Sequence, residues 1–323
     1  MKPKLLIIEL WGLGDLVIAT PFIRAATEKY AVTLLAKPYA RELQPRFWPG
    51  VEVAAFNAPW TTFKDKYQLW RWPWRELFQL RRTLGGGQFA AGLSARWDPR
   101  DHLLLKCFAV QDRLGFPRLG SQALLTRPLI RPGPLAHHYE SWRIAGRALG
   151  LELPPREQLA VPASAPDGWV LIHSGARLPA RVWPLENYRQ TVRRLREKNL
   201  RVQVACDPNQ ADWWRNHDEP AVACPRTVTE LLALIDGARR FIGNDSGPGH
   251  LAACCGVPTL TLFGPQLPEW FAPLPPTAEW IEGKACPYKP CSDYCRYPAP
   301  RCITELTVNE VWPRVEKFIA ARP

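Results

Sequence analysis

Apolar residues recur along this chain in two alternating patterns. The apolar run at 5–10 has the form of a strand covered on both faces, and 169–173 and 259–263 read as further strands. Between such runs, apolar positions return every three or four residues. Over 185–198, Leu185, Tyr188, Val192 and Leu195 fall on one helix face. The first half reads as strand 5–10, a Gly-rich turn at 11–15, helix 16–29, strand 31–37, helix 39–48 and strand 51–56. Pro21 lies early enough in its helix to be tolerated. Short strands follow at 89–94 and 113–116, and helices at 102–110 and 139–149. After 168 the pattern restarts: strand 169–173, helix 185–198, strand 202–206, helix 229–235 and strand 240–243. Helix 250–255, capped by a left-handed Gly256, precedes strand 259–263, and a helix over 308–321 ends the chain. This alternation predicts an α/β protein built on parallel sheets with helices on both faces.

The stretch 151–168 is rich in Pro, Ala and Glu, a linker composition. The expected organisation is a doubly wound domain over 1–160, a second over 161–306, and a C-terminal helical segment over 307–323 that packs back on the first domain. Two such domains would face a central cleft at the carboxyl ends of their strands, where ligands bind in open α/β sheets.

Composition narrows the class. The 323 residues are 46% hydrophobic and 22% charged, which is globular and long enough for two domains. No apolar run approaches the roughly 18 residues of a membrane span. The apolar run near the N-terminus falls short of the roughly 7–15 residues of a secretory signal, so it reads as a buried first strand. The net charge is +12. Residues 1–160 hold 23 Lys and Arg against 13 Asp and Glu, so the first half is the basic half. A basic surface suits an anionic partner: nucleic acid, anionic lipid or a phosphorylated glycan. The nine cysteines are odd in number and fit a reducing cytoplasm.

Four stretches carry candidate chemistry. Gly12-Leu13-Gly14-Asp15 follows a strand and opens a helix, but Val17 stands where a dinucleotide fingerprint needs its third Gly. The turn therefore places Asp15 at a helix start, where it stays ionised and could accept a proton from a substrate hydroxyl; simple capping is the plain alternative. Gly243-Asn244-Asp245-Ser246-Gly247-Pro248-Gly249-His250 lies between a strand and a helix. Its backbone N–H groups suit a phosphate, Asp245 and Ser246 suit sugar hydroxyls, and His250 opens the helix. His173-Ser174-Gly175-Ala176, with Arg177 and Arg181 after it, suits a diphosphate, because Arg offers a fixed positive fork. Residues 60–82 interleave Trp with Lys and Arg, including Arg71 and Arg75, as peripheral membrane segments do. A Trp-rich loop packed on its own domain is the alternative there. Finally, Cys286, Cys291, Cys295 and Cys302 cluster without a C-x2-C pair. Reduced structural thiols are the favoured reading, and a tetrahedral structural Zn or Fe is the alternative.

Together these stretches resemble glycosyltransferase family 9, the heptosyltransferases of lipopolysaccharide core assembly. The resemblance rests on Leu13-Gly14-Asp15 followed by Thr20-Pro21, on Arg181-Val182-Trp183-Pro184, and on Asp245-Ser246-Gly247 with His250, Ala252 and Ala253. Gly256-Val257-Pro258, Leu262-Phe263-Gly264 and a cysteine-bearing tail complete it. It implies a GT-B fold of two Rossmann-like domains, an ADP-heptose donor, and inverting, metal-independent transfer with no cofactor. Asp15 would be the general base. Arg181 would meet the donor phosphates, and Asp245, Ser246, Gly247 and His250 would hold the donor, with Ser174 and Gly175 beside them. Gly14, Arg71 and Arg75 would lie on the acceptor side. The acceptor would be an anionic lipid-linked glycan, met at the cytoplasmic face of the inner membrane. One departure stands out: the family's Gly-Gly-x-x-Glu, whose Glu meets the ribose, is replaced by Cys206-Asp207-Pro208-Asn209-Gln210. This leaves open a GT-B transferase or epimerase using another nucleotide sugar. A basic nucleic-acid-binding protein is the non-enzyme reading, but no nucleic-acid-binding signature is present and no nucleic-acid partner is expected.

Overall fold

The computed structural model describes residues 1–62, 68–86, 88–160, 167–217, 219–274 and 278–321. The chain divides into two compact units, Met1–Pro154 and Pro155–Pro323. Among the described residues, no helix is long and apolar enough to cross a membrane.

The first unit runs β1 (Lys4–Glu9), α1 (Leu13–Ile18), α2 (Thr20–Lys29), β2 (Ala31–Ala36), α3 (Ala40–Phe47) and β3 (Glu52–Ala55). It continues with α4 (Trp74–Leu84), β4 (Ala91–Ser94), α5 (Pro99–Cys107), β5 (Asp112–Gly115), β6 (Arg127–Pro128) and α6 (His138–Ala148). Its strands form one sheet in the order β3-β2-β1-β4-β5-β6, parallel at every pairing. In β1 and β2 every residue after the first is buried, Glu9 and Thr33 included, as strands covered on both faces require. The helix expected over 16–29 is two. It starts at Leu13, and the ladder restarts at Thr20, because Pro21 has no N–H to continue it. Helix α4 was not anticipated: it turns Leu77, Leu80 and Leu84 toward the first unit's core and leaves Trp74 and Phe78 exposed.

The second unit runs β7 (Trp169–His173), α7 (Leu185–Glu197), β8 (Val202–Ala205), α8 (Ala211–Arg215), α9 (Val228–Asp236), β9 (Ala238–Asn244) and α10 (Gly247–Cys254). Then come β10 (Thr259–Phe263), α11 (Pro268–Phe271), β11 (Ala278–Glu282), α12 (Arg301–Thr304) and α13 (Val308–Ala320). The sheet order is β11-β10-β9-β7-β8, again parallel throughout. Gly256 has φ +86°, and Val257 N–H reaches Ala252 C=O at 3.0 Å, the left-handed cap expected after α10. The helix expected to start at His250 begins three residues earlier, at Gly247. The C-terminal helix was expected to pack back on the first domain. Instead its Val308, Val311, Val315 and Phe318 are built into the second unit's core, alongside Tyr188, Val192 and Leu195 of α7.

Within the first unit, Asp101 is fully buried in the first turn of α5 and accepts a hydrogen bond from Ser94 Oγ at 2.9 Å. Burial, followed by the charge of Asp98, pushes its carboxyl from 3.8 up to about 7. Below the lower value neither the folded nor the unfolded state ionises. Between the two values only the unfolded chain does, so stability falls as pH rises; above the upper value the slope ends. The slope from this one group is at most about 1.4 kcal/mol per pH unit. Urea midpoints measured from pH 4.5 to 7 are expected to fall for the parent protein and to fall less for Asp101→Asn. Parallel curves would exclude Asp101 as the source.

Candidate active site

Both sheets reverse direction once, and ligands in open α/β sheets bind beyond the strand ends at that reversal. In the first unit it lies between β1 and β4, and in the second between β7 and β9. The segments that follow these four strands carry the candidate chemistry.

In the second unit the organiser is Asn244, the last residue of β9, which is fully buried. Its Oδ1 accepts from the Trp183 backbone N–H at 3.0 Å and from the Tyr188 hydroxyl at 2.9 Å. Its Nδ2 donates to the carbonyls of Ser174 at 2.8 Å and Gly175 at 3.4 Å. One amide thus joins the ends of β7 and β9 to the Trp-Pro segment and to α7. Asp245, Ser246 and Gly247 follow directly, and Ser246 stands at the N-cap of α10. Arg181 pairs through Nη1 with Asp245 Oδ2 at 3.0 Å. His250 is buried within α10. A Cβ on Gly175 would sit 2.4 Å from the Asp207 carboxyl, so glycine is what admits that carboxylate beside the β7 end. Burial lowers the His173 pKa, while the charge of Asp207 works against that shift.

In the first unit, Asp15 is the third residue of α1, and its Oδ2 accepts the Gly12 N–H at 2.9 Å. Its Oδ1 is ion-paired with Arg96, two residues beyond β4. The Arg96 guanidinium also lies 5.3 Å over the Trp11 ring, 3.1 Å from His138 Nδ1 and 3.9 Å from Glu9 Oε2. Glu9 ends β1 and is buried, and burial pushes its carboxyl up to about 8 against the pull of Arg96. Burial thus disfavours the Glu9 charge and leaves Asp15 the closer partner of Arg96.

Residues 140–298 match the family model for glycosyltransferase family 9 (heptosyltransferase). This segment, just under half of the chain, resembles glycosyltransferase family 9. It is 35% identical over 108 residues to lipopolysaccharide heptosyltransferase 3 of Escherichia coli strain K12, covering 30% of this chain and 31% of that protein. It is 28% identical over 186 residues to lipopolysaccharide heptosyltransferase 1 of Pseudomonas aeruginosa, covering 51% of this chain and 52% of that protein. The chain thus spans about a third to a half of the length of these curated relatives. Its fold is similar to that of E. coli heptosyltransferase WaaC with ADP, with a TM-score of 0.74 and 16% identity over 98% of this chain and 99% of that one. The two parallel sheets are those of the GT-B fold.

With the family 9 site laid out, several sequence expectations change. Ser174 was expected to touch the donor, yet its side chain is wholly buried and engaged. Its Oγ donates to Gln210 Oε1 and accepts from Trp214 Nε1, both at 2.9 Å, and its N–H donates to Ala205 C=O at 3.0 Å. It holds the β7 end in shape rather than presenting a hydroxyl. Arg181 was expected to stand ready for phosphate, but two carboxylates, Asp245 and Asp293, already bind it. Gly14 sits in the first turn of α1 beside Asp15. Arg71 closes a 3-10 turn at Leu69–Arg71, and Arg75 is in the first turn of α4; both are exposed. Residues 63–67 of that Trp-rich stretch lie outside the described residues. Sequence reasoning missed Arg96, Glu9 and Asp293. The sheet order gives the signal for the first two, because β1 and β4 are neighbours.

Cys286, Cys291, Cys295 and Cys302 line one small cavity with Tyr288 and Tyr297. Burial pushes the Cys302 thiol up to about 11 and raises that of Cys291. Among the described residues, no group of three or more His, Cys, Asp or Glu is arranged to hold a metal ion.

Asn244 is the position where a small change should matter most. In Asn244→Asp the two donated bonds become acceptors facing carbonyls, inside a buried site. The variant is expected to lose about 3 kcal/mol or more in denaturant unfolding, at about 1–3 kcal/mol per buried group left unpaired. A loss below about 1 kcal/mol would remove Asn244 from its central place.

Proposed function

We propose that this protein transfers a heptose from ADP-heptose to an anionic, lipid-linked glycan of the lipopolysaccharide-core type. Transfer inverts the anomeric centre, needs no catalytic metal, and uses Asp15 as general base. The observation that carries this reading is the carboxylate of Asp15, paired with Arg96 at the β1–β4 reversal, in a chain whose β7–β9 reversal carries Asp245, Ser246 and the start of α10. The names of its relatives, lipopolysaccharide heptosyltransferases, support the donor and acceptor classes.

The chemistry follows from these groups. The acceptor hydroxyl loses its proton to Asp15 as its oxygen bonds to the anomeric carbon. The bond from that carbon to the diphosphate oxygen breaks, and its electron pair leaves with the nucleoside diphosphate. Developing charge on the leaving group is met by Arg181 and by the N–H groups at the start of α10. Asp15 must give up part of its pairing with Arg96 to accept the proton. An anionic acceptor supplies the substitute partner, because Arg96 can turn to a carboxylate or phosphate. General-base assistance of this kind contributes about 10²–10⁴-fold. Asp15→Asn is expected to bind ADP-heptose as the parent does and to lose transfer by about that factor. Transfer near the parent rate would overturn the base assignment.

Helix α4 supports contact with the membrane that holds such an acceptor. Trp60 and Trp72 pack inward, with ring centroids 5.1 Å apart. Trp70, Trp74 and Phe78 face outward at 78%, 55% and 62% exposure. Trp74 and Phe78 are one helical turn apart, and Arg71, Arg75, Arg81 and Arg82 lie along the same segment. Aromatic rings beside basic residues suit an anionic lipid surface, with each basic residue contributing about 1 kcal/mol. In co-sedimentation at low salt, the parent is expected to bind vesicles containing phosphatidylglycerol and not pure phosphatidylcholine vesicles. The double variant Trp74→Ser/Phe78→Ser should bind at least about tenfold more weakly. Equal binding by parent and variant would remove α4 from the membrane reading.

A further inference from the structure

The segment between β11 and α12 leaves the sheet and returns to it. Its base is closed by two backbone bonds: Gly283 N–H to Phe263 C=O at 2.7 Å, and Lys284 N–H to Cys302 C=O at 2.8 Å. Its tip is a tight turn, with Tyr294 N–H donating to Cys291 C=O at 3.0 Å. The two central residues, Ser292 and Asp293, have φ of +51° and +69°. Left-handed backbone disfavours residues with a Cβ, and glycine usually fills such turns. Strain of this kind persists where the surroundings enforce it, and it clusters at functional sites.

The turn delivers the carboxylate of Asp293. Its side chain is only 4% exposed. Its Oδ1 accepts from Arg181 Nε at 2.7 Å, and its Oδ2 accepts from Arg181 Nη2 and from Gln266 Nε2, each at 2.7 Å. The other edge of the same guanidinium, Nη1, meets Asp245. Gln266 follows β10 and is itself buried, so the carboxylate is fixed from two sides.

We propose that Asp293, carried on the cysteine-bearing loop, is a positioning residue of the donor site: it fixes Arg181 in the orientation that meets the diphosphate of a nucleotide sugar. This rests on reading the β7–β9 reversal as the donor site. A two-point fork removes rotation of the guanidinium about its own axis. A cation held in place before the ligand arrives loses less conformational freedom on binding. The charge of Asp293 acts in the opposite direction. Asp245 and Asp293 together outweigh the single positive charge of Arg181, and deleting one carboxylate would by charge alone favour an anion. The two effects differ in sign, so one measurement separates them.

The test is calorimetric titration of the full chain with ADP, UDP and GDP, then of Asp293→Asn with whichever nucleotide the parent binds best. Asn tolerates left-handed backbone and removes the charge. The positioning role predicts binding weaker by about threefold to tenfold, the cost of ordering one long side chain. It also predicts no further loss when Asp293→Asn is added to Arg181→Gln. Asp293→Gly, which relaxes the turn, should show the same loss with a melting temperature at or above the parent's. Equal or tighter binding by Asp293→Asn overturns the proposal, and so does a loss that adds to that of Arg181→Gln. If the parent binds none of the three nucleotides, the donor-site reading fails and the proposal with it. If the parent binds and the Asp293 variants match it, only the proposal fails.

Discussion

The second unit depends on one amide. Asn244 uses both donors and both lone pairs of its carbonyl in a site without solvent, and its partners come from three separate segments. A parallel sheet fixes its strands but leaves the loops beyond them free to diverge. Here the loops after β7 and β9 are tied to each other, and the Trp-Pro segment is tied to both. Trp183 then extends the network, donating from Nε1 to the Leu306 carbonyl at 2.7 Å, just before α13. The position of Asp245, the next residue, is therefore inherited from the core rather than chosen by a mobile loop. Such fully satisfied buried networks rigidify a site, because every alternative arrangement leaves a polar group unpaired.

The two units solve the same electrostatic problem in the same way. Each reversal point holds an arginine between two carboxyl groups: Arg96 between Asp15 and Glu9, and Arg181 between Asp245 and Asp293. Partly buried ion pairs add little net stability, because desolvation offsets most of their attraction. What they supply is orientation. In the first unit burial works against a charge on Glu9, and Asp15 lies closer to Arg96 than Glu9 does. In the second, Gln266 holds Asp293 in place. Each arginine is thus held in one orientation by its carboxylate partners.

Much of the fold was legible in the sequence. Short, predominantly apolar stretches marked β1, β2, β7 and β10, because a strand covered on both faces shows little polar side. The family 9 resemblance read from the Asp245 loop and its flanks stands with the family model over 140–298. Two misreadings have separate causes. Helix α4 packs Leu77, Leu80 and Leu84 on the core but also exposes Trp74 and Phe78, so apolar positions on two faces blur its period. Ser174 looked like a ligand residue because its motif is ligand-like. Its partner Trp214 lies 40 positions away and is invisible to local reading.

By itself the sequence determined the order and type of most elements, the two-unit organisation, and which loops carry glycine, serine and acid where a phosphate or sugar would need them. Those features are local, written in spacing and residue type. The tertiary structure alone decided which charges meet. Arg181 and Asp293 are 112 positions apart, and the sheet order together with the return of the β11–α12 loop brings them to 2.7 Å. Periodicity records whether a side chain is buried. It does not record what that side chain is buried against, because the partner is set by strand order, and strand order is decided by how helices and sheet pack as a whole.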